Sequence, residues 1–166
     1  FLEMLSYLKK FDKSNNMLIE GEKAPYFELK DQSGKLVKLT DYKGKDVIVY
    51  FYPKDDTPGC TAEACSIRDN YNEYTKKGIV VIGISPDDEK KHTKFKEKYQ
   101  LPFILLADTE KRVLKAYGVW GKKKFMGREY EGVIRTTFLI DKEQKIKEVI
   151  SKVQCKTHGK DLLKKY

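Results

Sequence analysis

An α/β fold with a central mixed sheet, helices on both faces and an N-terminal β-hairpin is what the sequence predicts, on three observations. Short β-rich runs alternate with helix-length amphipathic stretches from Met17 onward. Two of the runs, VIVYFYP at 47–53 and IVVIGISP at 79–86, are apolar without alternation, as strands covered on both faces require. No internal repeat or low-complexity linker interrupts the order.

Taken along the chain, FELKDQSGKLVKL at 27–39 reads as a hairpin turning at Ser33-Gly34. VIVYFYP is a central strand closed by Pro53, which cannot donate to a ladder. Residues 60–77 fit a helix. IVVIGISP is the next central strand, closed by Pro86, and residues 87–99 the next helix. FILLAD at 103–108 is a strand, 110–117 a helix, and TTFLID at 136–141 a strand paired with IKEVIS at 146–151 across the DKEQK turn. Residues 157–165 form the last helix, so a mixed sheet with helices on both faces follows.

The chain has 166 residues, enough for one domain with its own core. Hydrophobic residues at 40%, with 11 tyrosines and 8 phenylalanines, exclude a disordered chain. Three cysteines are too few for a secreted disulfide framework and point to a reducing compartment, most simply the cytoplasm. A net charge of +9 raises the question of nucleic acid, but the lysines are interspersed with acids, as in DDEKKHTKFKEKY, and read as a solvated helix face. Only Lys122, Lys123 and Lys124, near Trp120 and Phe125, form a compact basic cluster, so no specific nucleic-acid partner is expected. No run of about 18 apolar residues exists, so no membrane span is expected. Residues 1–16, FLEMLSYLKKFDKSNN, are set apart as an extension from a domain at 17–166. They lack the apolar core and cleavage site of a secretory signal, and fit an amphipathic tail, the remnant of an organelle-targeting segment, or expression-derived residues.

Chemistry concentrates in PKDDTPGCTAEAC, 53–65, which holds two of the three cysteines. Thr57 and Pro58 fit the N-cap and first position of a helix, placing Cys60 in its first turn. Cys60, Ala64, Ile67, Tyr71 and Tyr74 share one helix face, so Cys60 points toward the core. There the unpaired N–H groups and the positive end of the macrodipole favour thiolate, the nucleophilic form. The plainer alternative is a small buried hydrophobe, which the helix start and the second thiol argue against. In an intact helix Cys60 and Cys65 have Cα atoms about 8.6 Å apart, beyond the roughly 7 Å limit for a disulfide, so bonding them requires local unwinding. A zinc set of Cys60, Cys65, Cys155 and His158 is a further alternative with loose spacing. A thioredoxin-type disulfide exchanger is another, although Cys-x-x-Cys is absent. His92 and His158 are expected on the surface, Cys155 is expected to be an incidental, partly exposed thiol, and Glu63 and Arg68 are expected in ion pairs.

PKDDTPGCTAEACSIRDNY and YGVWGKKKFMGREYEGVIRTTFLID resemble the peroxiredoxins, in particular the Q subgroup, or bacterioferritin comigratory protein type. Pro53, Thr57 and Cys60 meet the active-site pattern, Cys65 the position of the resolving cysteine, and Arg135 that of the catalytic arginine; the likeness runs from about Met17 to the C-terminus. The resemblance implies a thioredoxin-like fold and cofactor-free reduction of hydrogen peroxide and organic hydroperoxides in antioxidant defence; a monomer or weak homodimer is expected. It implies that Cys60 attacks the peroxide and becomes a sulfenic acid. Cys65 then condenses with Cys60 to a disulfide, which thioredoxin or a similar dithiol protein reduces. Arg135 would stabilise the thiolate and orient a peroxide oxygen, Thr57 would exchange hydrogen bonds with the peroxide, and Pro53 would wall off water. The Cys60 backbone N–H would complete the cradle.

Overall fold

The computed structural model describes residues 18–166, so the 1–16 extension and its boundary at Met17 lie outside the described residues. The sheet is built from β1 (Glu28–Asp31), β2 (Leu36–Lys38), β3 (Val47–Phe51), β4 (Val80–Ser85), β5 (Ile104–Ala107), β8 (Thr136–Ile140) and β9 (Ile146–Ile150), in the order β2-β1-β5-β4-β3-β8-β9. β3, β4 and β5 run parallel to one another. β8 and β1 join them antiparallel, which makes the sheet mixed. The hairpin β1–β2 turns through Ser33 and Gly34 as its sequence predicts, with Gly34 at φ +83, where a side chain is disfavoured.

β3 shows why its sequence does not alternate. Val47, Val49 and Phe51 enter one core with Ile82, Ile84, Leu114, Tyr117 and Phe138. Ile48 and Tyr50, on the opposite face, enter a second core with Cys60, Ala64, Ile67, Phe95 and Leu162. Both faces are dry, so every position of the strand is apolar. Tyr50 lies across β4, where a Cβ on Gly83 would stand 2.8 Å from its ring; glycine is what lets this tyrosine lie flat.

The helices are α1 (Pro58–Asp69), α2 (Tyr71–Lys76), α3 (Glu89–Tyr99), α4 (Arg112–Ala116) and α5 (His158–Leu163). The buried apolar residues of α1, α2, α3 and α5 belong to the second core, and those of α4 to the first. Helices thus cover both faces, but unevenly. The single helix expected at 60–77 is two: Asn70, at φ −108 and ψ 10, leaves helical geometry, and its side-chain amide donates to the Ser66 carbonyl at 2.8 Å. α5 clasps the C-terminal half of α1. The Gly159 N–H donates to Ser66 Oγ at 2.9 Å, and the Tyr74 hydroxyl donates to the Gly159 carbonyl. A Cβ at position 159 would stand 2.2 Å from the Ser66 carbonyl oxygen, so the two backbones meet only at a glycine.

One hairpin is not announced by the sequence pattern: β6 (Trp120–Phe125) and β7 (Arg128–Val133), antiparallel and turning at Met126 and Gly127. Its faces are largely exposed, so it lacks the apolar alternation that marks a half-buried strand. Lys122 and Lys124 stand opposite Glu131 and Glu129 in its register, so the basic cluster faces acids within its own ribbon. Among the described residues no helix is long and apolar enough to cross a membrane.

Candidate active site

The site begins where β3 ends. The chain bends through a half-buried Pro53 and reaches α1 by a loop held by two adjacent aspartates. Asp55 is buried: it accepts from the Tyr52 hydroxyl at 2.6 Å, its N–H donates to Asp87 Oδ2 at 2.7 Å, and His92 Nδ1 lies 2.6 Å from its Oδ2. Asp56, at φ +58, accepts from Lys98 Nζ and the Tyr99 hydroxyl, both at 2.7 Å. The loop bearing Thr57 is therefore pinned to α3 from both sides. His92, expected on the surface, is fully buried, its Nε2 2.9 Å from the Leu106 carbonyl. The lysines and glutamates of α3 conceal an inward face of His92, Phe95 and Tyr99, whose three- and four-residue spacing is the signal that finds it.

Thr57 occupies the N-cap position of α1 with Pro58 following, as expected, but it does not cap. Its hydroxyl donates to the Lys54 carbonyl at 2.9 Å, closing the loop instead of the helix. Cys60 sits in the first turn, 1% exposed, on the inward face with Ala64 and Ile67.

Arg135 arrives from the two-residue link between β7 and β8 and brings the site together. Its Nη2 donates to Cys60 Sγ at 3.2 Å and its Nη1 to Glu63 Oε1 at 2.5 Å. A guanidinium N–H aimed at sulfur stabilises negative charge there. Burial works against the Arg135 charge, but Glu63 and Cys60 outweigh it and hold its pKa above the usual value. Glu63, fully buried one turn along from Cys60, has its carboxyl pushed up to about 7 by burial, against the pull of Arg135. Its Oε2 has no hydrogen-bond partner among the described residues and faces His158 Nε2 at 3.5 Å. His158 Nε2 is also 2.8 Å from Thr137 Oγ1. Burial, followed by the opposing influences of Asp161 and Arg135, leaves the His158 ring lowered to about 4 and therefore neutral at pH 7. The sequence expectation of a surface histidine fails because α5, which starts at His158, docks onto α1.

Cys65 lies on the other flank of α1, beside a depression of about 360 Å³ that is also lined by Asp56, Thr57, Pro58, Thr61, Ala62 and Tyr99. Burial raises its thiol, with Arg68 partly offsetting that. Arg68 itself bonds Asp69 and the Tyr99 carbonyl. Cys60 and Cys65 are free thiols in an intact helix.

Cys155 is partly exposed, as expected, but lies close to the start of α1. Its Sγ lies 3.8 Å from where a Cβ on Gly59 would stand, because the segment between β9 and α5 folds over the start of α1. The zinc arrangement fails on geometry: among the described residues no group of three or more histidine, cysteine and acidic side chains converges as a metal site would.

Glu63 makes the site pH-sensitive near neutrality. Its folded pKa, about 7, exceeds the ordinary 4.5, so the folded state holds the proton more tightly than the unfolded chain. The resulting stability is fully present below the ordinary value and is lost as pH rises through about 7. Stopped-flow rates of Cys60 oxidation across the neutral range are expected to show an inflection near 7 that Glu63→Gln removes. An inflection unchanged in Glu63→Gln would show that another group sets it.

A model of the AhpC/TSA family matches residues 20–149. Peroxiredoxin Bcp of Bacillus subtilis is 52% identical over 148 residues, 89% of this chain and 94% of that protein. Peroxiredoxin Bcp of Escherichia coli K12 is 48% identical over 143 residues, 86% of this chain and 92% of that protein. A solved structure of the Xanthomonas campestris bacterioferritin comigratory protein, from work on the alkyl peroxide reduction activity of that protein, superposes with a TM-score of 0.82 at 28% identity, covering 89% of this chain and 96% of that one. Its likeness matches the thioredoxin-like architecture, and the identity to the bacterial proteins extends across nearly the whole of each. The chain belongs to the AhpC/TSA family and is a Bcp-type peroxiredoxin, a thiol peroxidase.

Proposed function

We propose that this enzyme reduces hydrogen peroxide and organic hydroperoxides through Cys60, with Cys65 as resolving thiol and thioredoxin or a similar dithiol protein as reductant. The observation that carries this reading is the Arg135 Nη2 donation to a buried Cys60 Sγ in the first turn of a helix. The Cys60 thiolate attacks the terminal peroxide oxygen, the O–O bond breaks, and water or an alcohol leaves after taking a proton. Arg135 spans sulfur and incoming oxygen, stabilising charge as it moves between them. The Thr57 hydroxyl, whose proton is given to the Lys54 carbonyl, presents lone pairs that accept the peroxide proton. Pro53 supplies an apolar wall without an N–H. The alkyl peroxide reduction activity of the Xanthomonas protein supports an organic hydroperoxide as substrate.

Cys65 then attacks the Cys60 sulfenic acid, forming the disulfide and releasing water. The two thiols lie on opposite flanks of α1, so this step unwinds the helix locally. One equivalent of hydrogen peroxide is expected to consume two thiols per chain, to join Cys60 to Cys65 in peptide mapping, and to lower far-UV helical signal, which thioredoxin restores. Insulin reduction faster than peroxide reduction would instead place the chain among the disulfide exchangers.

A further inference from the structure

The cycle just described gives Cys155 no task, yet its position ties it to Cys60. Gly59 precedes Cys60, and a Cβ there would stand 3.3 Å from Arg135 Nη2 and 3.8 Å from Cys155 Sγ. The same Nη2 donates to Cys60 Sγ at 3.2 Å. The guanidinium and the Cys155 thiol thus meet the same point beside Gly59, next to Cys60, while Cys65 opens on the other flank of α1. Arg135 and Cys60 both act electrostatically on the Cys155 thiol, as groups sharing one site do.

The backbone around the two candidate resolving thiols differs. Cys65 is inside α1, and reaching Cys60 breaks the helical ladder. Cys155 is in a turn between β9 and α5, outside helix and strand, so it can advance without breaking either. Burial keeps the Cys155 thiol raised, with Arg135 opposing, so at rest it is a protonated reserve and no rival nucleophile for peroxide.

We propose that Cys155 is a second resolving thiol, giving the Cys60 sulfenic acid a route to a disulfide that leaves α1 wound. The inference rests on Cys60 being the peroxidatic residue. Cys155 Sγ gives up its proton and attacks Cys60 Sγ; the S–S bond forms as the S–O bond breaks, and the departing hydroxide takes the proton as water. The oxidant is the peroxide, already reduced by two electrons in forming the sulfenic acid. The Cys65 thiol stays free.

The test uses wild type, Cys65→Ser, and Cys65→Ser with Cys155→Ser, each at low protein concentration with one equivalent of hydrogen peroxide. A sulfenic-acid trap such as dimedone is added, followed by non-reducing peptide mass mapping and far-UV circular dichroism. The double variant is expected to accumulate labelled Cys60. Cys65→Ser is expected to show at least about tenfold less label, an intramolecular Cys60 to Cys155 disulfide and full helical signal. Equal label in Cys65→Ser and the double variant would overturn the proposal while leaving Cys60 as the peroxidatic thiol, as would a disulfide between two chains. No oxidation of Cys60 in any variant would remove the proposal together with the reading it rests on.

Discussion

Cys60→Ser is expected to lower kcat/KM for hydrogen peroxide by at least about 10⁴-fold, the scale seen when an enzyme loses the nucleophile of a group acting as a unit. Serine keeps the size and the hydrogen bond to Arg135, so the cradle survives, but a hydroxyl is un-ionised at neutral pH and a poor attacker of an O–O bond. Stability should change little, because the position is small, buried and still able to accept from Arg135 Nη2. Steady-state assays with thioredoxin and thermal unfolding measured on the same sample separate the two effects. Peroxide turnover that survives in a well-folded Cys60→Ser would mean that another thiol is peroxidatic. The variant lacking Cys65 and Cys155 is the matching control: it should complete one fast oxidation at Cys60 and then stop.

What can be read from the sequence divides by how local it is. Pro53, Thr57, Cys60 and Cys65 fall within thirteen consecutive residues, and their helix start and face follow from spacing alone. The central strands are legible because residues dry on both sides must be apolar at every position. Glu63 is legible as an ion-pair residue, but its partner is not, since Arg135 arrives from 72 positions away. His158 and Cys155 are harder still. Nothing in QCKTHGKDLL says that this segment folds over the start of α1; that depends on Gly159, the residue that lets α5 meet the Ser66 backbone. Asp55 and His92 escape sequence reading because each sits in a polar run, where a single buried member is masked by solvated neighbours. The β6–β7 hairpin escapes it because the ribbon is exposed on both faces and needs no apolar pattern.

Arg135→Ala separates positioning from charge at the site. The rate of Cys60 oxidation is expected to fall by about 10²–10³-fold, the cost of removing a preorganised donor from developing charge. Its effect on stability should depend on pH, and the sign follows from Glu63. Removing the guanidinium leaves a fully buried carboxylate without its counter-charge, so the carboxyl pKa rises beyond about 7. At mildly acid pH the group is protonated with or without Arg135, and the variant should lose little stability. As pH rises through 7 the wild type ionises Glu63 against Arg135 while the variant must hold a proton or bury a bare charge, and the deficit should grow toward about 3 kcal/mol. Arg135 is itself 22% exposed, which places the expectation at the lower end of what breaking a buried pair costs. Adding Glu63→Gln to Arg135→Ala removes the stranded charge, so it should restore most of the alkaline stability and none of the rate. Recovery of both would mean that Arg135 serves only to neutralise Glu63, and that Cys60 draws its reactivity from the helix start alone. Recovery of stability without rate makes the 3.2 Å contact with sulfur the catalytic part of the residue and its bond to Glu63 the part that holds it there.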